Sequence, residues 1–352
     1  MAIKLSLKLT GLDVAAWCRA LAFTLLAAMT STLCIATALP RVILLETFDI
    51  PVVLEHTRFF MLAMDRLGYK KDQIQILKAQ GNPALADSLL RQEIARKRPD
   101  VIVASATLAA KAAYAVAKSE KVPMVFFVVS DPVGAGIVST TDSPSNDIVT
   151  GIVHSVPRDT KVEMVMRILK SGHPLGHPIR FGYLHSNYPS SNGDLAMLRA
   201  VAAKRGDVEF VSHQIPYRKK LFESAQTLAD LKTGIATLEP KIDYWWIAQD
   251  PVGEEAQSLQ AITAHSRHPI VYGPNALSTR NGALVHIAAD TEVGASEAAA
   301  MVDQVIKGAA VGTLPVHSPS RINFGVNLST AIRMGVVIPS DLLELAGSSA
   351  IQ

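Results

Sequence analysis

The chain has 352 residues, 49% of them hydrophobic and 18% charged, with a net charge of +3 and two cysteines. A charge balance this close to neutral, with no basic run and no aromatic-interleaved basic patch, argues against a nucleic-acid partner. Both cysteines, Cys18 and Cys34, lie near the N-terminus. A disulfide framework, a thiolate metal site and a cysteine nucleophile are therefore not expected in the body of the chain.

The first 38 residues read as a signal peptide. Lys4, Lys8 and Arg19 form a basic leader, no charge falls between Ala20 and Pro40, and Ala36-Thr37-Ala38 supplies the small residues of a cleavage site. An uncleaved anchor is the competing reading, because the uncharged run approaches the ~20 residues a spanning helix needs. Leu33 stands before Cys34 where a lipoprotein signal would carry a small residue, so lipidation is not expected. Removal of the leader would leave a thiol-free chain of two domains' length with a net charge near +1.

Beyond the leader, apolar β-rich runs begin near Val42, Ile74, Val101, Met124, Ile148, Phe181, Val208, Tyr244, Ile270 and Leu284. Helical periodicity falls between most of them: Glu55–Leu67, Ala84–Ala95, Leu108–Lys118, Lys161–Leu169, Gly193–Lys204, Glu254–His265 and Gly294–Lys307. Alternation of this kind predicts an α/β fold, with parallel strands buried on both faces. One closed (β/α) barrel and two doubly wound lobes both fit it. The polar stretch Ser139–Asp147 breaks the alternation, and a second polar interval at His154–Thr160 follows a short strand. This arrangement suits a crossover between lobes better than a barrel loop.

The stretch from Pro99 to Gly151 is the most informative. The strand Val101–Ala104 runs into Ser105 and Thr107 at the start of an alanine-rich helix, and Met124–Val129 runs into Ser130, Asp131 and the turn Pro132-Val133-Gly134. Ligands of open parallel sheets bind at these carboxyl ends, where helix N-termini expose backbone N–H groups.

With this block the chain resembles a family of ABC-transporter substrate-binding proteins associated with tryptophan and related ligands. Further motifs carry the resemblance over nearly the whole mature length. They are FGYLHSNYPSSNG at Phe181–Gly193, IDYWWIAQDPV ending in Asp250, NGALVHIAADTEVGASEAA with Asp290, and the closing VNLSTAIRMGVVIP. Departures are Asp49-Ile50-Pro51 in place of a Glu-His-Pro segment, Thr47 and Phe48 in the first pocket loop, and Gly193 where the family usually has serine.

The resemblance implies a type I periplasmic-binding-protein fold: two doubly wound parallel-sheet lobes joined by a hinge. Lobe 1 would take residues 39–155 and about 290–312, and lobe 2 residues 156–289 and about 313–345. It also implies an extracytoplasmic, monomeric receptor that hands a small polar solute to an ABC permease in the membrane. An aromatic or branched amino acid is the expected cargo. Such a ligand needs hydroxyls and N–H groups for its carboxylate, for which Ser105 and Thr107 are candidates. It needs a carboxylate for its ammonium, from Asp250 or Asp290. Phe48 and Tyr188 would wall its side chain, and Asn187, Ser190 and Asn192 would complete the polar shell from the second lobe, with Thr47, Ser130 and Asp131 as further site candidates.

Bland roles compete for each residue. Thr107 can simply cap its helix, and Asp131 and Asp250 each precede a proline and can hold turns. Asp290 can cap the helix that follows; Trp245 and Trp246 look like ligand stackers but sit within a strand, so at least one is expected to face the core, as are Phe126 and Phe127 for the same reason. Enzymatic signals are poor. Gly134-Ala135-Gly136 lacks the third glycine of a dinucleotide fingerprint, and no Walker A motif or G-x-S-x-G elbow occurs. His173 and His177 each precede a proline, so they lie in a loop and not on one helix face. No cofactor, metal or catalytic residue is assigned. A ligand-sensing module coupled to a membrane signalling partner is the alternative function, and an α/β enzyme acting on a phosphorylated substrate is a third.

Overall fold

The computed structural model describes residues 39–172, 176–218 and 224–352, with only the backbone of Pro189 and Ser190. The expected signal peptide, His173 and the Ser190 side chain lie outside the described residues.

Five parallel strands form the first sheet: β1 (Val42–Glu46), β2 (Ile74–Lys78), β3 (Val101–Ser105), β4 (Met124–Val129) and β6 (Val149–Val153), in the order β2-β1-β3-β4-β6. Its helices are α1 (Pro51–Arg66), α2 (Pro83–Arg96), α3 (Thr107–Glu120) and, from far along the chain, α9 (Thr291–Ile306). The two-residue period of a strand sorts the side chains of β1 between two cores. Val42 and Leu44 pack with Phe60 of α1 and with Ala295, Ala298 and Ala299 of α9. Ile43 and Leu45 pack with Leu90 of α2 and Ala110 and Ala113 of α3.

The second sheet has seven strands, in the order β14-β13-β11-β10-β9-β7-β8. They are β7 (Ile179–Ser186), β8 (Val208–Ile215), β9 (Tyr244–Trp246), β10 (Ile270–Gly273), β11 (Val285–Ala289), β13 (Ile322–Asn327) and β14 (Ala350–Ile351). Only β13 runs antiparallel to its neighbour β11. The helices α4 (Arg158–Leu169), α5 (Pro189–Arg205), α6 (Ala225–Leu238), α7 (Ala256–His265), α8 (Ala276–Arg280), α10 (Leu328–Met334) and α11 (Ser340–Ala346) accompany this sheet. Trp245 and Trp246 point to opposite faces of β9 and are buried in separate cores, as are Phe126 and Phe127 on β4.

These are two open sheets and not a closed barrel. The chain passes between them three times: after β6, at Asp290 between β11 and α9, and between β12 (Pro315–Val316) and β13. The polar stretch Ser139–Asp147 is not itself a crossing. It forms β5 (Ser143–Pro144), which pairs with β12, and the chain then returns to the first sheet as β6. The first crossing falls instead in the second polar interval, 154–157.

All ten sequence-predicted strands are present, each starting within two residues of its expected position, and so are the seven helices. α6 was not expected. Gly234 sits in its interior, where an added Cβ would collide with Leu184 of β7, so close helix-on-sheet packing outweighs the propensity cost of glycine.

Candidate ligand-binding site

A cleft of about 390 Å³, open to solvent, lies where the carboxyl ends of the two sheets meet. One wall comes from the first sheet: Phe48 after β1, Ala106 and Thr107 after β3, Val128 and Ser130 at the end of β4, and His154 in the first crossing. Tyr188 at the start of α5, and Gln249, Asp250 and Glu254 after β9, form the other.

The backbone bends sharply to build the first wall. Ala106 has φ of 73° and Val128 φ of 59°, values that a side-chain-bearing residue holds only when its surroundings enforce them. At Val128 the pairing of β4 with β6 slips in register. At Ala106 the turn leaves α3 without a cap of its own. Thr47, fully buried on the neighbouring strand end, serves instead: its hydroxyl accepts from Ala109 N–H at 3.0 Å and donates to the Ser105 carbonyl at 3.1 Å. The amide of Thr107 and its hydroxyl therefore remain available at the positive end of the helix, and the Thr107 hydroxyl has no hydrogen-bond partner among the described residues.

Three aromatic rings close one end of the cleft. Phe48 lies 6.4 Å from both Tyr188 and Tyr217, and the two tyrosines lie 5.1 Å apart. Burial, with the neighbouring Tyr217, pushes the Tyr188 phenol up, so both rings stay neutral near pH 7. Asn187 positions Tyr217 by accepting its N–H at 2.7 Å.

Behind the cleft, Gln249 joins the second sheet to the first crossing. Its Nε2 donates to the His154 carbonyl at 2.8 Å, and its Oε1 accepts from Lys161 Nζ at 2.9 Å and Ser155 Oγ at 3.2 Å. Lys161 is buried, and this burial pulls its ammonium down to about 7 against the opposing pull of Asp194. Asp194 itself accepts from Arg158 and Tyr183 at 2.8 Å each. Burial alone would raise its carboxyl, but Arg158, Lys161 and Tyr183 hold it below the ordinary range. The His56 and His154 rings meet edge to face at 4.6 Å, and burial pulls His56 down to about 4 and His154 well below its usual value. Both are neutral imidazoles. Among the described residues, no group of three His, Cys, Asp or Glu side chains is placed to hold a metal ion.

Of the sequence-predicted residues, Phe48, Thr107, Ser130, Tyr188 and Asp250 line this cleft. The others do other work. Thr47 caps α3, and Ser105 is fully buried with its hydroxyl unpaired. Asn192 accepts from Gln214 at 2.9 Å on the exposed side of α5. Asp290 is set apart from the cleft: it caps α9 through Val293 N–H at 2.9 Å and pairs with Arg321 at 2.8 Å. Asp131 accepts from Gly134 N–H at 2.8 Å and faces an adjoining groove of about 1650 Å³. Its other oxygen abuts Gly193, where any Cβ would collide with it. Glycine at 193 thus admits a carboxylate from the opposite sheet, beyond the loss of a serine donor.

Asp250 reaches the cleft with little capacity to spare. It accepts from Ser186 N–H and Oγ at 2.8 and 2.7 Å, and from Val252 and Gly253 N–H at 3.1 and 2.8 Å. Four donors fill the lone pairs of one carboxylate. It therefore holds the loop after β9 and does not offer an ammonium a free oxygen. The sequence reading missed Glu254, Gln249, His154, Lys161 and Tyr217. Spacing was the available signal for Glu254, four residues past Asp250 in the same turn.

Two open α/β sheets crossed three times by the chain, with a cleft of unpaired donors and aromatic rings between their carboxyl ends, define a two-lobed solute-binding protein. The sequence model of the family "ABC transporter substrate binding protein" matches residues 41–350, and the chain belongs to that family. It is a binding protein for small solutes and not an enzyme. A tyrosine-binding protein of Clostridioides difficile is 24% identical over 275 residues, covering 77% of this chain and 74% of that protein. Among solved structures, an ABC domain from Streptococcus pneumoniae in complex with L-Trp matches with a TM-score of 0.68 at 21% identity, over 87% of this chain and 99% of that one. A conserved domain protein from Vibrio cholerae matches with a TM-score of 0.71 at 23% identity, over 88% and 99% of the two chains.

Proposed function

We propose that this protein is the extracytoplasmic receptor of an ABC importer, capturing an amino acid with an aromatic side chain and delivering it to a membrane permease. The observation that carries the reading is the pairing, in one cleft, of the Thr107 amide and hydroxyl at the α3 N-terminus with the Phe48 and Tyr188 rings, which Tyr217 backs. The first suits a carboxylate, and the second suits a flat apolar side chain. A relative named for tyrosine binding and a structural neighbour solved in complex with L-Trp support the same cargo class.

In this reading residues 1–38 are a cleaved export signal and the mature protein acts as a monomer. Lobe 1 comprises 39–155 with about 290–312, and lobe 2 comprises 156–289 with about 313–345. Lobe closure would desolvate the cargo and strengthen each hydrogen bond to it.

A thermal-shift screen of residues 39–352 against amino acids, sugars, nucleosides and small organic acids tests the proposal. A ligand at a hundredfold its dissociation constant stabilises a protein by ~2.7 kcal/mol, which a melting curve resolves. Stabilisation by tyrosine, tryptophan or phenylalanine is expected. Stabilisation by sugars alone would overturn the cargo assignment, and silence across the whole screen would overturn the receptor reading.

A further inference from the structure

Glu254 is a cleft group that the reading above leaves unused. It sits in the turn before α7, with its backbone N–H donating to the Asp250 carbonyl at 3.0 Å. Two carboxyls of this turn have opposite fates. Asp250 is filled by four donors, whereas Glu254 lines the cleft and its carboxyl has no hydrogen-bond partner among the described residues.

The groups around Glu254 explain why it can wait unpaired. Partial burial in the cleft comes first, and then Asp250 and Glu255, from the same turn, oppose its ionised form; Lys161 on α4 favours it. Tyr188 on α5, Tyr272 on β10 and His154 in the crossing face the same region as neutral groups at pH 7. The balance pushes the Glu254 carboxyl up to about 8, so it is mostly protonated in the empty cleft at neutral pH. An uncharged carboxyl avoids the cost of burying an unpaired charge, and becomes a carboxylate when a cation arrives.

We infer that Glu254, and not the aspartate that ends β9, is the residue that reads the protonated amine of the cargo. This rests on the amino-acid reading of the cleft. The carboxylate of the cargo lies at the α3 N-terminus and Thr107, and its ammonium meets Glu254 on the opposite wall. The exchange balances: the Glu254 carboxyl gives its proton to solvent, and the carboxylate formed pairs with the ammonium. Each binding event below the carboxyl's own titration range therefore releases one proton. Affinity rises with pH up to about 8.

The opposite use of the same group predicts the opposite sign. A protonated Glu254 that donated to an anionic cargo would lose affinity as pH rises, with no proton released.

Calorimetry on the purified protein separates the two. The probes are L-tyrosine and L-tryptophan beside their deaminated analogues, 3-(4-hydroxyphenyl)propanoate and 3-indolepropanoate. Each is titrated from about pH 6 to about pH 8 in two buffers of different ionisation heat, where one linked proton gives a slope of roughly tenfold per pH unit. At least tenfold tighter binding of the amino acid than of its analogue is expected, with net proton release. Glu254→Gln should flatten the pH slope and shrink the gap between amine and analogue to under threefold, with an unchanged melting temperature when empty. Equal affinity for both members of a pair, proton uptake, or full retention of affinity and slope in Glu254→Gln would overturn the inference. If the variant fails to fold, the wild-type proton count and analogue comparison decide alone. Binding of the analogues without the amines overturns the inference and leaves the receptor intact. Binding of neither pair overturns the aromatic cargo reading, and the inference with it.

Discussion

The ring of Phe48 stands 6.4 Å from that of Tyr217 with the planes 27° apart, although the two residues belong to different sheets. Phe48 follows β1 in the first sheet, and Tyr217 follows β8 in the second. Tyr188 meets both rings, so this aromatic contact spans the cleft and forms when the sheets are close.

Aromatic pairs contribute about 0.5–1.5 kcal/mol beyond the area they bury. Phe48→Ala and Tyr217→Ala are each expected to weaken cargo binding by about tenfold, and the double variant should lose less than the two effects combined. Calorimetric affinities in a double-mutant cycle measure the coupling. Strict additivity would show that the rings act independently.

Two threonines sixty residues apart should separate stability from binding. Thr47→Val removes the surrogate cap of α3 and should lower the stability of the empty protein by about 1–2 kcal/mol. Thr107→Val removes a hydroxyl that has no partner among the described residues, so the melting temperature should hold while affinity falls several-fold. Denaturation and binding curves on both variants check the contrast.

Gly193 predicts a steric effect with a rescue. A methyl group at this position would strike the Asp131 carboxylate, so Gly193→Ala should hold the sheets apart and weaken binding, with little change in the stability of the empty protein. Asp131→Ala removes the obstructing atoms and should restore most of the affinity in the double variant. Failure of the rescue would show that the carboxylate is not the obstacle.

Lys161 predicts a pH dependence. Its folded value is lowered to about 7 by burial, whereas an unfolded lysine titrates near 10.4. Between those limits the unfolded chain holds more protons, so wild-type stability should rise with pH by up to about 1.4 kcal/mol per unit from this group. Below about 7 both states are protonated and this contribution is flat at its minimum. Lys161→Met lacks the group. The stability difference between the two proteins, measured by urea unfolding across that range, should carry the slope; a pH-independent difference would place the lysine's titration elsewhere.

The sheets were legible because their strands are buried on both faces and so read as unbroken apolar runs, as Val101–Ala104 and Met124–Val129 show. β13 escaped because it alternates polar and apolar residues and runs antiparallel, outside the strand-helix rhythm. What followed from strand ends alone was position: Phe48, Thr107, Ser130, Tyr188 and Asp250 all line the cleft. The role of a side chain was not legible where one residue type serves two purposes. A threonine at a strand end can cap a neighbour's helix, as Thr47 does, and an aspartate before a proline can spend every oxygen on its own loop, as Asp250 does. Which carboxyl stays unpaired depends on donors brought from β7, and no local pattern around Asp250 and Glu254 records that.

The return of α9 to the first sheet bears on how the protein can be made. Ala295, Ala298 and Ala299 cover the face of β1 that carries Val42 and Leu44, about 250 residues earlier in the chain. During synthesis from the N-terminus, α1 alone covers part of that face until the whole of the second sheet through β11 has emerged. A chain halted before Thr291 would present an aggregation-prone apolar surface, however well the five strands of its first sheet had paired. The molecule is therefore not two modules in series, and a fragment ending at the first crossing would not be an independently stable half.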